Sequence, residues 1–132
     1  MNDDQRAVAR ACLKGAESDS IAFPQICARL MGAGFERYAV DLARATSIYY
    51  LADGDSVALD AHMAGPIGAG FDADTIRAAI REAQTQAPGC SYAGFCRKIA
   101  AAGCIGYLVS FPGRRVVYSG RTGEAHVEHF PQ

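Results

Sequence analysis

The chain contains one stretch twice. Moved along by 69 positions, Phe23 to Asp55 falls without a gap on Tyr92 to Glu124, giving 33 aligned pairs. Seven are identical: Cys27/Cys96, Ala33/Ala102, Gly34/Gly103, Tyr38/Tyr107, Val40/Val109, Tyr49/Tyr118 and Gly54/Gly123. Seven more keep size or charge, among them Leu30/Ile99, Ile48/Val117 and Asp55/Glu124. Chance gives about two or three identities in a chain this rich in Ala and Gly, and the matches fall on periodic apolar and turn positions, the mark of an internal duplication. Such a chain must fold into two halves of the same element order, so every local reading is made twice.

The first half opens with a helix that Asp3 or Asp4 can start, with Val8, Ala11, Cys12 and Gly15 along one side. Ser20 is the expected N-cap of a second helix, whose apolar stripe is Phe23, Ile26, Cys27 and Leu30; Gly32 and Gly34 end it. The period then changes to two. Tyr38, Val40 and Leu42 alternate as one strand, a turn at Arg44 leads to a second over Thr46 to Leu51, and Asp53-Gly54 turns the chain into a third over Ser56 to Leu59.

The second half repeats the plan. Asp72 caps a helix carrying Ile76, Ala79, Ile80 and Ala83, and Ser91 caps the next, with Tyr92, Phe95, Cys96 and Ile99 inward. Strands follow at Tyr107 to Phe111, Arg115 to Ser119 and Ala125 to Phe130. Helix, helix, strand, strand, strand, taken twice, predicts an α+β fold with antiparallel meanders covered by helices. The expectation is a single domain of two repeats, about 3–60 and 72–130, joined by a flexible Gly/Pro linker over 61–71. One sheet or two remain equally compatible with this pattern.

At 132 residues the chain can bury one ordinary core. Its net charge of -1 offers no general attraction to nucleic acid or acidic membranes. No apolar run approaches the roughly 20 residues of a membrane span, and Met-Asn-Asp-Asp is unlike a basic signal region, so a cytoplasmic protein is expected. Five cysteines without a CxxC pair suit reduced thiols. Cys27 and Cys96 lie on apolar stripes, where cysteine serves as a small hydrophobe.

The stretches GAGFERYAVDLARATSIYYLADGDSV and AAGCIGYLVSFPGRRVVYSGRTGEAHVEHFP carry the patterns YY-x-x-DG and GRRVVY-x-G-x-x-G-x-x-HVE-x-F in order. In these the chain resembles a bacterial family catalogued as domain of unknown function 1398, some of whose members are labelled phage envelope proteins. The resemblance runs from the first helix to Pro131. It implies an α+β fold, no established activity and no cofactor, and it transfers no catalytic residue.

Four constellations carry the functional readings. His62, His126 and His129, with Asp60 and Glu128 nearby, are metal-ligand types, but in a regular strand His126 and His129 point to opposite faces. Only His62 with His126 is left as a weak pairing, and no metal is expected. Tyr38 and Tyr107 fall on the buried strand face. Tyr49 and Tyr118 alternate with Ile48 and Val117, which places them away from that core, lining a pocket or stacking on a partner; cross-strand packing is the other reading. Arg44 and the pair Arg114, Arg115 occupy corresponding turns, suited to a carboxylate or phosphate. Finally, burying Val127 draws His129 inward and leaves His126 beside Glu128 on the opposite face, a candidate acid/base or anion-binding element with Arg114 or Arg115, or else a solvated ion pair.

No nucleophile with its base and no phosphate loop stands out, so the leading reading is a non-enzymatic binding or interaction module, with a homodimer as one form. The alternative is a small enzyme or ligand-binding protein with a pocket near Tyr49, Tyr118, Arg114, Arg115, His126 and Glu128. By label alone, a phage-derived structural protein is third.

Overall fold

A computed structural model describes residues 1–131. The elements run α1 (Asp3–Glu17), α2 (Phe23–Gly32), β1 (Phe35–Asp41), β2 (Thr46–Leu51), β3 (Ser56–Asp60), α3 (Ala73–Thr85), α4 (Tyr92–Ala101), β4 (Cys104–Ser110), β5 (Arg115–Gly120) and β6 (Ala125–His129). A shift of 69 carries α2 and all three strands of the first half onto their counterparts residue for residue, and α1 onto α3 to within one residue at each end. The protein is α+β, with four helices and one antiparallel six-stranded sheet among the described residues.

The sheet answers the question of one meander or two. Its order is β3-β2-β1-β4-β5-β6, so the two meanders join through β1 and β4. Tyr38 pairs with Val109 and Val40 with Tyr107, two pairs that the repeat exchanges, while Ala39 pairs with Leu108, its own equivalent. The internal two-fold axis therefore passes between Ala39 and Leu108. Finer details repeat as well. The register shifts at Phe35/Arg37 in one half and Cys104/Gly106 in the other. Ala45 and Arg114, equivalent positions in the two hairpin turns, both take the left-handed conformation (φ 55° and 51°).

Period-two side chains put one face of the sheet under the helices. Tyr38, Val40, Tyr49 and Leu51 of the first half, and Tyr107, Val109, Val116 and Tyr118 of the second, are buried there with Ile26, Leu30, Ile76, Ile80 and Ile99 from the helices. The two halves are interlocked through the helix layer. Phe23 at the start of α2 meets Phe130, just beyond β6, edge to face at 6.1 Å. At the start of α4, the Tyr92 amide donates to the Asp19 carboxylate of the first half (2.8 Å). The segment 61–71 is pinned rather than loose: the amides of His62, Gly68 and Asp72 donate to the Glu17 carboxylate and to the carbonyls of Ala100 and Ala102.

Several local expectations are corrected. Asn2, not Asp3 or Asp4, caps α1, because its side chain and that of Gln5 exchange bonds with each other's amides. Ala22 stands at the N-cap of α2, with the Gln25 side chain accepting from its amide, while Ser20 bonds Ser18 instead. The inward face of α1 is Ala9, Cys12, Leu13 and Gly15, with Val8 packed at its margin; of the expected face only Ala11 is exposed. Asp72 and Ser91 cap α3 and α4 as the spacing predicts.

Candidate functional site

The tyrosines form the centre of the core. Tyr38 and Tyr49 are direct partners on β1 and β2, as Tyr107 and Tyr118 are on β4 and β5. Partners in an antiparallel pair share a face, so Tyr49 and Tyr118 point inward beside Tyr38 and Tyr107: of the two readings of these residues, cross-strand packing holds and the outward-facing pocket does not. The rings of Tyr38 and Tyr49 stack at 5.3 Å, and those of Tyr107 and Tyr118 lie 5.4 Å apart. The Tyr92 and Tyr107 hydroxyls bond each other at 2.6 Å. Alternation along a single strand says which residues share a side, but not which side the helices cover.

Burial governs the acidity of this core. It pushes the Cys27 thiol up to about 12 and Cys96 to about 11, and it raises Cys12, Cys104 and all the core tyrosines. These groups fold in their protonated forms. The stability they contribute is complete below their unfolded values near 9 to 10 and is lost as pH rises toward the folded values. Chemical denaturation should therefore show stability falling from about pH 9 upward, by about 1.4 kcal/mol per pH unit for each such group. In the native protein only Cys90, the exposed thiol, should react quickly with a water-soluble alkylating reagent. Constant stability to pH 11, or a second fast thiol, would overturn the assignment.

His126 lies on the core side of β6, because its partner Tyr118 does. Its Nε2 is 2.7 Å from Glu128 Oε2, and its ring is 6.3 Å from that of Tyr118. The His126–Glu128 pairing is as expected, but its side of the sheet is not. Val127 is 39% exposed and turns outward with His129, so it is the ionisable pair that goes under the helices. The equivalent positions in the first half are Val57 and Leu59, packed against the core. The second half thus carries a hydrogen-bonded pair, 14% and 28% exposed, where the first carries two hydrophobes. Sequence comparison of the two halves holds that contrast, and it marks the clearest chemical difference between them.

The remaining candidates are dispersed. Since the internal axis stands perpendicular to the sheet, equivalent turns lie at opposite ends of it: Arg44 follows β1 beside the start of β4, and Arg114 precedes β5 beside the start of β1. The arginines therefore share no anion site. Arg115 pairs with His129 on the face away from Tyr118. His62, 80% exposed, sits by Glu17 at a crevice of about 30 Å³ lined also by Asp41 and Tyr92, room for about one water. Among the described residues no three His, Cys, Asp or Glu side chains come together as a metal site.

The open face of the sheet was not anticipated as a candidate. Ala58, Ile48, Ala39, Leu108, Val117 and Val127 are successive partners on β3, β2, β1, β4, β5 and β6, forming one apolar row across all six strands. None of the six belongs to the helix-covered core. The signal was present in the sequence as the apolar alternates Ile48/Val117, but only the register lines them up. No helix among the described residues is long and apolar enough to cross a membrane. No family model matches the chain, and no curated protein shows significant similarity to it.

Proposed function

We propose that the protein is a binding or interaction module without chemistry of its own, working through the open face of its sheet in the cytoplasm and without nucleic acid. The observation that carries this reading is the apolar row that no helix covers, exposed at Ala58 and Val127 and half-buried at Ala39, Ile48, Leu108 and Val117, since a contiguous apolar strip at the surface of a folded domain marks a contact surface. The near-neutral charge supports a protein partner over a polyanion. The resemblance to the domain of unknown function 1398 family, and with it a phage-derived structural role, belongs to the same proposal, since both are compatible with a non-catalytic contact protein.

A second reading is favoured by one feature. The His126–Glu128 pair replaces Val57 and Leu59, and a half-buried titratable pair is a pointer to a ligand or proton-transfer site. A thermal-shift screen of divalent metals, nucleotides and small carboxylates and phosphates separates the two. The module reading expects no saturable rise in Tm that His126→Ala removes. A ligand at a hundredfold excess over its Kd adds about 2.7 kcal/mol, or several degrees. Such a rise, lost in His126→Ala, would move the assignment to a small-ligand protein.

A further inference from the structure

We infer that the open sheet face is covered by a second copy of this chain, stacked face to face about a two-fold axis running along the apolar row. The inference rests on the reading of that face as the contact surface and names its occupant. On either side of the apolar row lies a row of polar residues, and the two differ in sign. On one side Arg37, Arg115 and His129 are in register through Ser110. On the other, Asp41 and Asp60 are in register through Thr46. The internal repeat does not explain this polarity. Its axis would place like residues at both ends, yet the equivalents of Arg37 and Asp41 are Gly106 and Ser110. The two halves have kept the apolar row and diverged in the charges beside it.

That polarity selects an orientation. A two-fold axis along the strands would exchange β1 with β4 and set Arg37 on Ser110, with no carboxylate opposite it. An axis across the strands reverses the second copy end to end and, on β1, sets Arg37 opposite Asp41, while Arg115, His129 and Asp60 come opposite Ser119, Ala125 and Ser56. Arg37 and Asp41 lie on the same strand, β1, beside the centre of the sheet, so Arg37 of one copy meets Asp41 of the other, and the contact occurs twice. Isologous contacts of this kind are the commonest way for a chain to bury a surface on itself. Both groups are held for it. The Arg37 guanidinium lies over the Tyr50 ring at 4.2 Å on this face and bonds the neighbouring Glu36 carboxylate, so Asp41 of the second copy would be its second acidic partner. One oxygen of Asp41 accepts from the amides of Ala43 and Arg44, which fixes the carboxylate and leaves the other oxygen free to accept.

The size is sufficient. Six strands about 4.8 Å apart and five to seven residues long make a face of about 29 by 20 Å, so two copies bury on the order of 1,200 Å² together, the lower bound of a specific interface. Stacked sheets pack about 10 Å apart with their strands near 30° to one another. The apolar row supplies the affinity. The two Arg37–Asp41 contacts, at its margins, supply the orientation.

Sedimentation equilibrium on the full chain tests this. The expected result is a dimer at about 100 µM that Leu108→Glu converts to monomer, with the circular dichroism spectrum unchanged because Leu108 lies outside the core. Arg37→Glu should raise the dissociation constant at least about tenfold, and so should Asp41→Asn, which keeps the acceptor for the turn amides. A monomeric wild type at this concentration, or a dimer that survives Leu108→Glu, overturns the inference. A dimer tightened by Arg37→Glu overturns the orientation, because a carboxylate set opposite Asp41 would weaken it. A monomeric wild type leaves the module reading standing on its own ligand screen.

Discussion

Gly103→Ala should cost about 3 kcal/mol or more, while Gly34→Ala, at the equivalent position, should cost about 1 to 2 kcal/mol. Both glycines follow the second helix of their half with φ near +100° (+95° and +100°), where a Cβ is strained whatever surrounds it. The halves differ in what lies beside them. At Gly34 a new Cβ would meet only the Gln5 amide nitrogen, at 3.4 Å and on a flexible side chain. At Gly103 it would overlap the Gly70 carbonyl oxygen, because the segment 61–71 is clamped there by bonds to the end of α4. That segment cannot retreat without breaking the Gly68 and Asp72 amide bonds. Urea titration of the two variants would measure both costs, and equal losses would mean that the connecting segment yields freely.

Leu30→Ala and Ile99→Ala should each cost about 2 to 5 kcal/mol, the range for emptying a fully buried aliphatic site. Both side chains are 0% exposed and occupy equivalent places on α2 and α4 above the tyrosine ladder. The form of the transition matters as much as its midpoint. Since β1 and β4 pair at the centre of one sheet and α2 and α4 each reach into the other half, damage to one repeat should weaken both. Each variant should therefore unfold in a single transition at a lower denaturant midpoint with an unchanged slope. A biphasic curve, with one half melting before the other, would show that the repeats are separate cooperative units.

The sequence alone established the element plan, because it wrote that plan twice. Strand bounds such as Thr46–Leu51, the caps Asp72 and Ser91, and the core roles of Cys27 and Cys96 follow from period, turn chemistry and recurrence at a fixed offset. Both members of the His126–Glu128 pair were likewise legible, since residues two apart on a strand share a face.

Which face is inside was decided only in three dimensions. Alternation along one strand is symmetric between its two sides; the direction is settled by what pairs with it and what covers it. Tyr49 and Tyr118 turn inward because Tyr38 and Tyr107 are their direct partners, and His126 turns inward because Tyr118 is its partner. For the same reason Val127 is left outside. The separation of Arg44 from Arg114 is a matter of symmetry: an axis perpendicular to the sheet sends equivalent turns to opposite ends, which no comparison of the two stretches as text reveals. The apolar row from Ala58 to Val127 has the same origin, since its members are scattered between positions 39 and 127 and become neighbours only through the register of five strand pairings.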